Sequence, residues 1–335
     1  MTELGKIDRP FFDEHVAPNL GAERTDVSLG PRHGVDFGVL SLDGTAVVVA
    51  TDPVSILPEL GFERAARFAL DLILTDVAVS GIAPSHLSIC FTLPPTMDDE
   101  AFAAVWETMS EECRDLGVAV TTGHTARYTG CSYPWIGAAT AIGVGEHGRL
   151  VRPDGARPGD RLVLTTGPAV EAVGLLSTLF GDRMDLPDSV LADARDRLED
   201  VYCVRDALTV AAAAPVTAMH DVTEGGLAAA LCEMAEGSGS RFSIDGDAVP
   251  MPPGVREVCD ALEIDPWHAT SCGSLVIAVP GEHADDVVDA LEDEGTVGAD
   301  IGHVERGSGV VVDGESLEHP GRDPSWDVYA EFAGR

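Results

Sequence analysis

The chain has 335 residues, of which 45% are hydrophobic and 5% aromatic, and its 57 acidic and 21 basic side chains give a formal net charge of −36. This apolar content excludes an acidic disordered chain, and the lack of a basic surface argues against nucleic-acid binding. No apolar run reaches the roughly 18 residues of a membrane span, and the charged start MTELGKIDRPFFDEH has no signal-peptide core. We therefore expect a cytoplasmic protein without a membrane partner.

The acidic residues are scattered through well-patterned segments, and Lys6 is the only lysine. We interpret this as the surface of a protein from a high-salt cytoplasm, where salt screens the repulsion between carboxylates. A face for a cationic partner is the alternative interpretation. None of the seven cysteines forms a Cys-x-x-Cys pair, so the sequence predicts neither a disulfide framework nor a structural zinc site.

The first half of the chain predicts a compact α+β domain of the order β-α-β-α-β-β. Strands and helices alternate as TAVVVATDP from Thr45, a helix over 61–81, HLSICFTLPP, a helix over 98–117, VAVTTGHTA and WIGAATAIGV. A boundary rich in Pro, Gly and charge follows at 152–160.

The second half predicts an α/β domain. Its segments are the strand RLVLTTG, helices in 168–181 and 188–213, a strand, turn and helix in 216–239, the strand SLVIAVP, a helix over 282–294 and a strand pair in 297–312. The predicted domains are residues 1–151 and 152–320, with a tail over 321–335.

Four aspartates lie at strand ends or inside an apolar helix: Asp36, Asp52, Asp76 and Asp221. A buried carboxylate needs a partner, and lysine is nearly absent. Bound Mg²⁺ would supply one, because it prefers oxygen ligands and bridges carboxylates to phosphates. A cap or turn would explain any single aspartate, but the set of four favours a metal site.

Asp76 carries most weight, because it interrupts the apolar helical run ILTDVAVSG, where capping cannot explain it. Pairing with a buried arginine, or exposure to solvent, are the alternatives.

Gly225 and Gly226 begin a helix whose N–H groups could hold an anion. His124 could hold a metal or phosphate or carry a proton, although an ordinary hydrogen-bonded loop residue fits as well. Cys272 is predicted to be an unreactive buried thiol, because a reactive one needs a lowered pKa.

Six motifs line up in order along the chain: TDP, TDVAVSGIAPSHLSICFTLP, TGHT, PGDRLVLTTG, MHDVTEGGLAAALCEMA and TSCGSLVIAV. Together they resemble the aminoimidazole ribonucleotide (AIR) synthase-related, PurM-like superfamily, nearest its HypE hydrogenase-maturation branch, from about Gly30 to Arg306. The resemblance implies a ferredoxin-like N-terminal domain that pairs in a homodimer and a C-terminal α/β domain. It also implies ATP and Mg²⁺ as cofactors, with the γ-phosphoryl group passed to an acceptor oxygen.

On this resemblance each candidate residue receives a role. The metal ligands are Asp36, Asp52, Asp76 and Asp221. The catalytic residues are Asp76, His124 and Asp221. The nucleotide contacts are Gly34, Thr51, Gly123, Thr125, Arg127, Gly225 and Gly226, with Arg32 as a further phosphate partner.

Three departures from the HypE pattern affect the expected activity. Gly123-His124-Thr125-Ala126 stands where the branch has Gly-Asp-Thr-Lys, so an aspartate and a lysine of the site are replaced. The sequence ends in EFAGR instead of the cysteine tail that accepts the carbamoyl group, and GPRHG stands in place of a Gly-Ser-Gly-Gly stretch. Thiamine-monophosphate kinase is the alternative enzyme. A nucleotide-binding scaffold or regulator without catalysis is the alternative of another class. The acceptor, a small molecule or a protein, is left open.

Overall fold

A computed structural model describes residues 5–333 and divides them into two compact units. We call residues 23–31 and 35–150 the N-terminal unit, and residues 5–22, 32–34 and 151–333 the C-terminal unit. The first helix, α1 (Arg9–Phe11), thus belongs to the C-terminal unit. The predicted domain over 1–151 differs from the observed unit at its start, because the C-terminal unit includes residues 5–22 and 32–34.

The N-terminal unit is built on a six-stranded sheet in the order β1-β2-β3-β6-β4-β5. Its strands are β1 (Val27–Leu29), β2 (Gly38–Leu42), β3 (Thr45–Ser55), β4 (Pro84–Leu93), β5 (Ala119–Arg127) and β6 (Trp135–Glu146). The β4–β5 pair is parallel and the other described pairs are antiparallel. The four predicted strands are confirmed, and β1 and β2 are additional.

Two helices, α2 (Phe62–Ala78) and α3 (Asp99–Asp115), pack against this sheet. The carboxylate of Asp98 caps α3 by accepting the Ala101 N–H at 2.8 Å. Glycines with positive φ follow both helices, at Gly81 (72°) and Gly117 (74°). Side chains of β3 alternate between buried and half-buried, so the face away from the core carries a second, partly exposed set of apolar residues.

The C-terminal unit holds a seven-stranded sheet in the order β13-β12-β9-β11-β7-β10-β8. Its strands are β7 (Asp160–Thr165), β8 (Ala218–Asp221), β9 (Arg241–Ile244), β10 (Leu275–Pro280), β11 (Gly298–Glu305), β12 (Gly309–Val312) and β13 (Glu315–Leu317). Only β9–β12 is parallel among the described pairs, so the sheet is mixed.

Seven helices of the C-terminal unit follow in the described chain. They are α4 (Val170–Phe180), α5 (Asp188–Asp196), α6 (Val204–Ala213), α7 (Gly226–Ser238), α8 (Val255–Ala261), α9 (Ala284–Glu294) and α10 (Ser325–Ala333). The predicted helical stretch 188–213 is two helices, because Leu198, Val201 and Cys203 between them turn into the core.

The core of the C-terminal unit explains why α7 is so rich in alanine and leucine. Leu227, Leu231 and Met234 of α7 belong to one apolar cluster with buried residues of β7 and β10, and α4, α5 and α8 enclose a second apolar cluster. Mixed sheets with packed helices in two units confirm the α+β two-domain fold. Within residues 5–333, every helix is too short or too polar to cross a membrane.

Candidate functional site

Asp221 ends β8 and is only 3% exposed. Its Oδ1 atom is buried and accepts no hydrogen bond from the described part of the chain. Nδ1 of His220 lies 3.4 Å from this oxygen but 2.7 Å from the backbone carbonyl oxygen of Asp221. A buried carboxylate oxygen without a donor is costly, so the residue is suited to binding a cation.

A glycine turn carries the chain from β8 into α7, with φ angles of 84° at Gly225 and 63° at Gly226. A Cβ on Gly226 would lie 2.6 Å from the carbonyl oxygens of Trp267 and Ala269, so this position requires glycine. The Gly225 N–H donates to Oδ2 of Asp323 at 3.0 Å, and the Gly226 N–H donates to a carbonyl of the turn. Both N–H groups predicted to hold phosphate are therefore engaged by the chain itself.

Three imidazoles surround the carboxylate of Glu233 on α7, and we call His33, His220, His319 and Glu233 the imidazole–carboxylate cluster. Oε2 of Glu233 lies 3.2 Å from Nε2 of His220. Oε1 lies 3.5 Å from Nε2 of His319 and 3.9 Å from Nδ1 of His33. Gly34 permits this approach, because a Cβ there would come within 3.1 Å of the Glu233 side chain.

The electrostatics of the cluster favour an ionised Glu233. Burial alone would raise the pKa of its carboxyl, but the contacts with His220 and His319 and the charge of Lys6 outweigh burial and hold that pKa well below its usual value. Burial lowers the pKa of His33, although the charge of Glu233 opposes the shift. Near neutral pH the cluster therefore presents an anionic carboxylate beside a neutral His33.

Glu233, His33 and His319 of the cluster line a cavity of about 410 Å³ that lies within the C-terminal unit. Five carboxylates line it, from Asp8, Glu224, Glu233, Glu236 and Asp323. The cationic side chains are those of Lys6, Arg9 and Arg322, and Arg9 is already paired with Glu236. The cavity is of the size that small-molecule sites have, and among the described lining residues the aromatic rings are those of His33 and His319.

A second, partly buried acidic group is Glu171 of α4, which contacts Cys272. Oε2 of Glu171 accepts hydrogen bonds from the Thr270 hydroxyl and the Cys272 N–H. Burial raises the pKa of Glu171 and, together with the charge of Glu171, raises the pKa of the Cys272 thiol well above its usual value. Cys272 is thus a protonated, buried thiol, in agreement with the prediction that it is unreactive.

The other three predicted metal ligands belong to the N-terminal unit. Asp36 lies between β1 and β2, Asp52 lies on β3, and Asp76 lies inside α2. Asp76 is 7% exposed, so the acid in the apolar helix is buried as predicted. Each of these aspartates also has a bonding or electrostatic partner, and their metal role stays a prediction.

The predicted nucleotide contacts of the N-terminal unit lie mainly on the edge strand β5. A Cβ on Gly123 would lie 2.5 Å from the Ile89 carbonyl oxygen, so close strand pairing already explains this glycine. His124 is exposed within β5, three residues before its end, and its Nε2 lies 3.1 Å from the Tyr128 hydroxyl. Thr125 follows it on the same strand.

Two further predicted contacts already have partners within the N-terminal unit. Arg127 donates to Oδ1 of Asp99 at 2.7 Å and to the Met97 carbonyl at 3.3 Å. Thr51 shares a hydrogen bond of 2.9 Å with Thr140 on β6. In the C-terminal unit, Arg32 lies 3.8 Å from Asp154. A phosphate contact from either arginine would compete with a carboxylate.

The sequence prediction did not include the imidazole–carboxylate cluster. One signal was present: Glu233 is an acid inside the apolar stretch LAAALCEMA, as Asp76 is inside its own helix. His33 and His319 carry no comparable signal, because they come from distant stretches that the fold of the C-terminal unit brings together.

Comparison with known proteins agrees with this architecture. The model of the AIR synthase related protein N-terminal domain matches residues 34–144, and that of the C-terminal domain matches residues 157–315. A carbamoyl dehydratase HypE from Rhizobium leguminosarum bv. viciae is 30% identical over 281 residues, covering 82% of this chain and 77% of the relative.

Solved structures give the same result. The crystal structure of E. coli HypE, a hydrogenase maturation protein, has a TM-score of 0.71 and 28% identity, covering 83% of this chain and 87% of that one. A HypE in complex with ATP has a TM-score of 0.69 and 24% identity, with 96% and 94% covered; at that identity it shows the fold alone. With both domain models matched in order, the chain belongs to the AIR synthase related protein family, and HypE proteins are among its relatives.

Proposed function

We propose that the protein is an ATP- and Mg²⁺-dependent enzyme of the HypE type that transfers the γ-phosphoryl group of ATP to an acceptor oxygen. The observation that carries the proposal is the buried Oδ1 of Asp221, which accepts no hydrogen bond from the described chain. A hard cation is the partner that such an oxygen suits. Further support comes from a family relative named carbamoyl dehydratase and from the shared fold of a HypE that binds ATP.

The chain's own residues divide the work of such a transfer. Asp36, Asp52, Asp76 and Asp221 would hold Mg²⁺, which neutralises phosphate charge when it is bound. Thr51, Gly123, Thr125 and Gly34 would approach the nucleotide. Arg127 and Arg32 would exchange their carboxylate partners for phosphate oxygens, and His124 would donate a hydrogen bond to a phosphate oxygen where the branch has a metal-binding aspartate.

Phosphate contact at the start of α7 requires one local change. The Gly225 N–H is bonded to Asp323, which is only 2% exposed and also accepts bonds from the N–H and hydroxyl of Ser325. A phosphate oxygen would replace the Asp323 carboxylate at this N–H, with Gly226 keeping the turn open. The exchange of one anion for another conserves the favourable interaction with the helix N-terminus.

The acceptor proposed here is a carboxamide or carbamoyl group, carried by a small molecule or by a partner protein. Phosphorylation of its oxygen would make that oxygen a leaving group. The transfer itself depends on positioning and charge neutralisation, with little covalent chemistry for the protein to perform. Thiamine monophosphate is the acceptor that would indicate the alternative kinase.

Calorimetry of Mg-ATP binding in multimolar KCl, with phosphate release followed in the same samples, tests the proposal. We expect Mg²⁺-dependent ATP binding that Asp221→Asn weakens at least tenfold. Asp286→Asn is the matched control, because this exposed aspartate of α9 lies on the surface of the C-terminal unit against His283. ATP binding without phosphate release, in the presence of a carbamoyl compound or thiamine monophosphate, would favour a non-catalytic nucleotide-binding scaffold. Unchanged ATP binding in Asp221→Asn would refute the assignment of Asp221 as a metal ligand.

We further propose that the enzyme is a homodimer formed by the sheet of the N-terminal unit. Its outer face pairs Val47 with Val144 and Val49 with Ile142 across β3 and β6, and Val144 is 48% exposed. A second copy would cover this apolar face. Light scattering should give twice the mass of the 335-residue chain, and Val144→Asp should give monomers; a wild-type monomer would exclude the dimer.

A further inference from the structure

The imidazole–carboxylate cluster offers a hydrogen-bond acceptor and a donor next to each other on the cavity wall. Oε1 of Glu233 and Nε2 of His319 are 3.5 Å apart. The distance exceeds the 2.7–3.2 Å or so of a direct N–H···O bond. The two atoms are therefore close enough to contact one ligand group together, and too far apart to satisfy each other fully.

The hydrogen bonds around His319 decide which of its nitrogens donates. Nδ1 of His319 accepts the backbone N–H of Gly321 at 2.9 Å. A neutral imidazole carries its proton on the other nitrogen, so Nε2 is an N–H donor. The His319 side chain is 36% exposed, and this donor lines the cavity.

The two carboxylate oxygens of Glu233 have different surroundings. Its Oε2 lies 3.2 Å from Nε2 of His220, whose other ring nitrogen is 2.7 Å from the carbonyl of Asp221. Oε1 has His319 and His33 at 3.5 and 3.9 Å, which leaves it able to accept a short bond from a ligand.

One acceptor beside one donor is complementary to a group that presents an N–H and a C=O side by side. A carboxamide has both, as Asn and Gln side chains do. A guanidinium or amidinium has donors only and would leave the His319 N–H facing another donor.

We propose that Glu233 and His319 form the carboxamide-recognition pair of the acceptor pocket, with Oε1 accepting the amide N–H and Nε2–H donating to the amide oxygen. Both residues would contact the carboxamide directly. The inference rests on the proposed function for its acceptor class, since the acceptor there is a carboxamide or carbamoyl compound. It adds which residues of the C-terminal unit select this group over an ester or a tertiary amide.

Ligand binding without ATP tests the pair directly. The probe is S-carbamoyl-L-cysteine, and its matched control is S-(dimethylcarbamoyl)-L-cysteine, which keeps the carbonyl but has no N–H. Protein labelled with ¹³C-histidine reports on the His319 ring by NMR, and titration gives the affinity. We expect saturable binding that shifts the His319 signals and is roughly 10- to 150-fold weaker for the dimethyl compound, since a bond to a charged acceptor contributes about 1.5–3 kcal/mol.

Variants separate recognition from structure. His319→Leu removes the donor and should weaken binding of the carbamoyl probe several-fold, whereas His319→Gln keeps an N–H donor and should retain most of the affinity. His283→Leu is the control, because this histidine lies on the surface against Asp286. Thermal unfolding of each variant verifies that it is folded.

Three results would overturn the inference: equal affinity for both compounds, binding that leaves the His319 signals in place, or no saturable binding. Mg-ATP calorimetry on the same preparation reports separately on the proposed function. Binding of the carbamoyl probe without ATP turnover would uphold the recognition pair and refute the proposed enzymatic activity. ATP turnover without a response of the His319 signals would uphold the enzymatic activity and refute the recognition pair.

Discussion

Replacing Asp206 of α6 by asparagine should stabilise the protein above pH 6. Burial raises the pKa of this carboxyl from 3.8 to about 6, partly offset by the hydrogen bond that the Thr296 hydroxyl donates to its Oδ1 at 3.0 Å. A rise of roughly two units corresponds to about 3 kcal/mol between the two protonation states. The folded protein binds this proton more tightly than the unfolded chain does. The stabilisation that comes from the protonated carboxyl is therefore complete below pH 3.8 and is lost as the pH rises through 6.

Asparagine keeps an oxygen that Thr296 can bond and removes the charge. We therefore expect Asp206→Asn to raise the free energy of unfolding by about 2–3 kcal/mol at pH 7.5, with the gain shrinking towards zero near pH 4. Denaturant titrations of both proteins at a fixed high KCl concentration measure the difference at each pH.

Asp188→Asn is the matched control, because Asp188 is an exposed acid in the first turn of α5. Its effect should stay within about 0.5 kcal/mol of zero at every pH. If Asp206→Asn were neutral or destabilising at pH 7.5, or if its effect did not change with pH, the carboxyl would not be held in an unfavourable ionised form, and the reasoning would be refuted.

Three other predictions concern the site. Gly226→Ala should destabilise the fold by roughly 2–4 kcal/mol, because the new Cβ adds backbone strain and overlaps two carbonyl oxygens. Gly239→Ala is the control and should cost about 1 kcal/mol, since Gly239 has nearly the same φ but nothing within 4 Å of its Cβ. Chemical denaturation measures both losses of stability, and equal losses would contradict the overlap at Gly226. Cys272 should resist alkylation in the native protein at pH 8 while exposed Cys90 reacts, as peptide mapping would show, and fast labelling of Cys272 would contradict its burial. His124→Asp should change Mg-ATP affinity in calorimetry; an unchanged affinity would exclude His124 from the nucleotide site.

The regular elements were predictable because their residues carry period and boundary signals. The helix over 61–81 has a glycine stop, and α3 has Asp98 as its cap, so α2 and α3 agree with prediction within a few residues. The strands β1 and β9 were not predicted, because runs of three or four residues such as VSL and RFSI are too short to show alternation. Pairing with neighbouring strands defines them, and pairing is not visible in a single sequence.

Two buried acids, Asp206 and Glu233, show why an acid in an apolar stretch of sequence does not by itself identify a binding site. Asp206 and Glu233 both lie on helices of the C-terminal unit and both are largely buried, yet the structure moves their pKa values in opposite directions. Asp206 has a neutral hydroxyl as its bonding partner and a nearby acid in Glu294, so burial prevails.

Glu233 has imidazoles from distant stretches of the chain, and they reverse the effect of burial. The desolvation cost of an acid can be read from the apolar residues around it in the sequence. The compensating partners come from distant parts of the chain and are brought close by the fold. The desolvation cost of the acid can therefore be predicted from the sequence, but its charge state in the folded protein cannot. An acid whose partners hold it ionised against a cavity, as Glu233 is held, is the kind that can bind a ligand, whereas an acid like Asp206 only lowers stability at neutral pH.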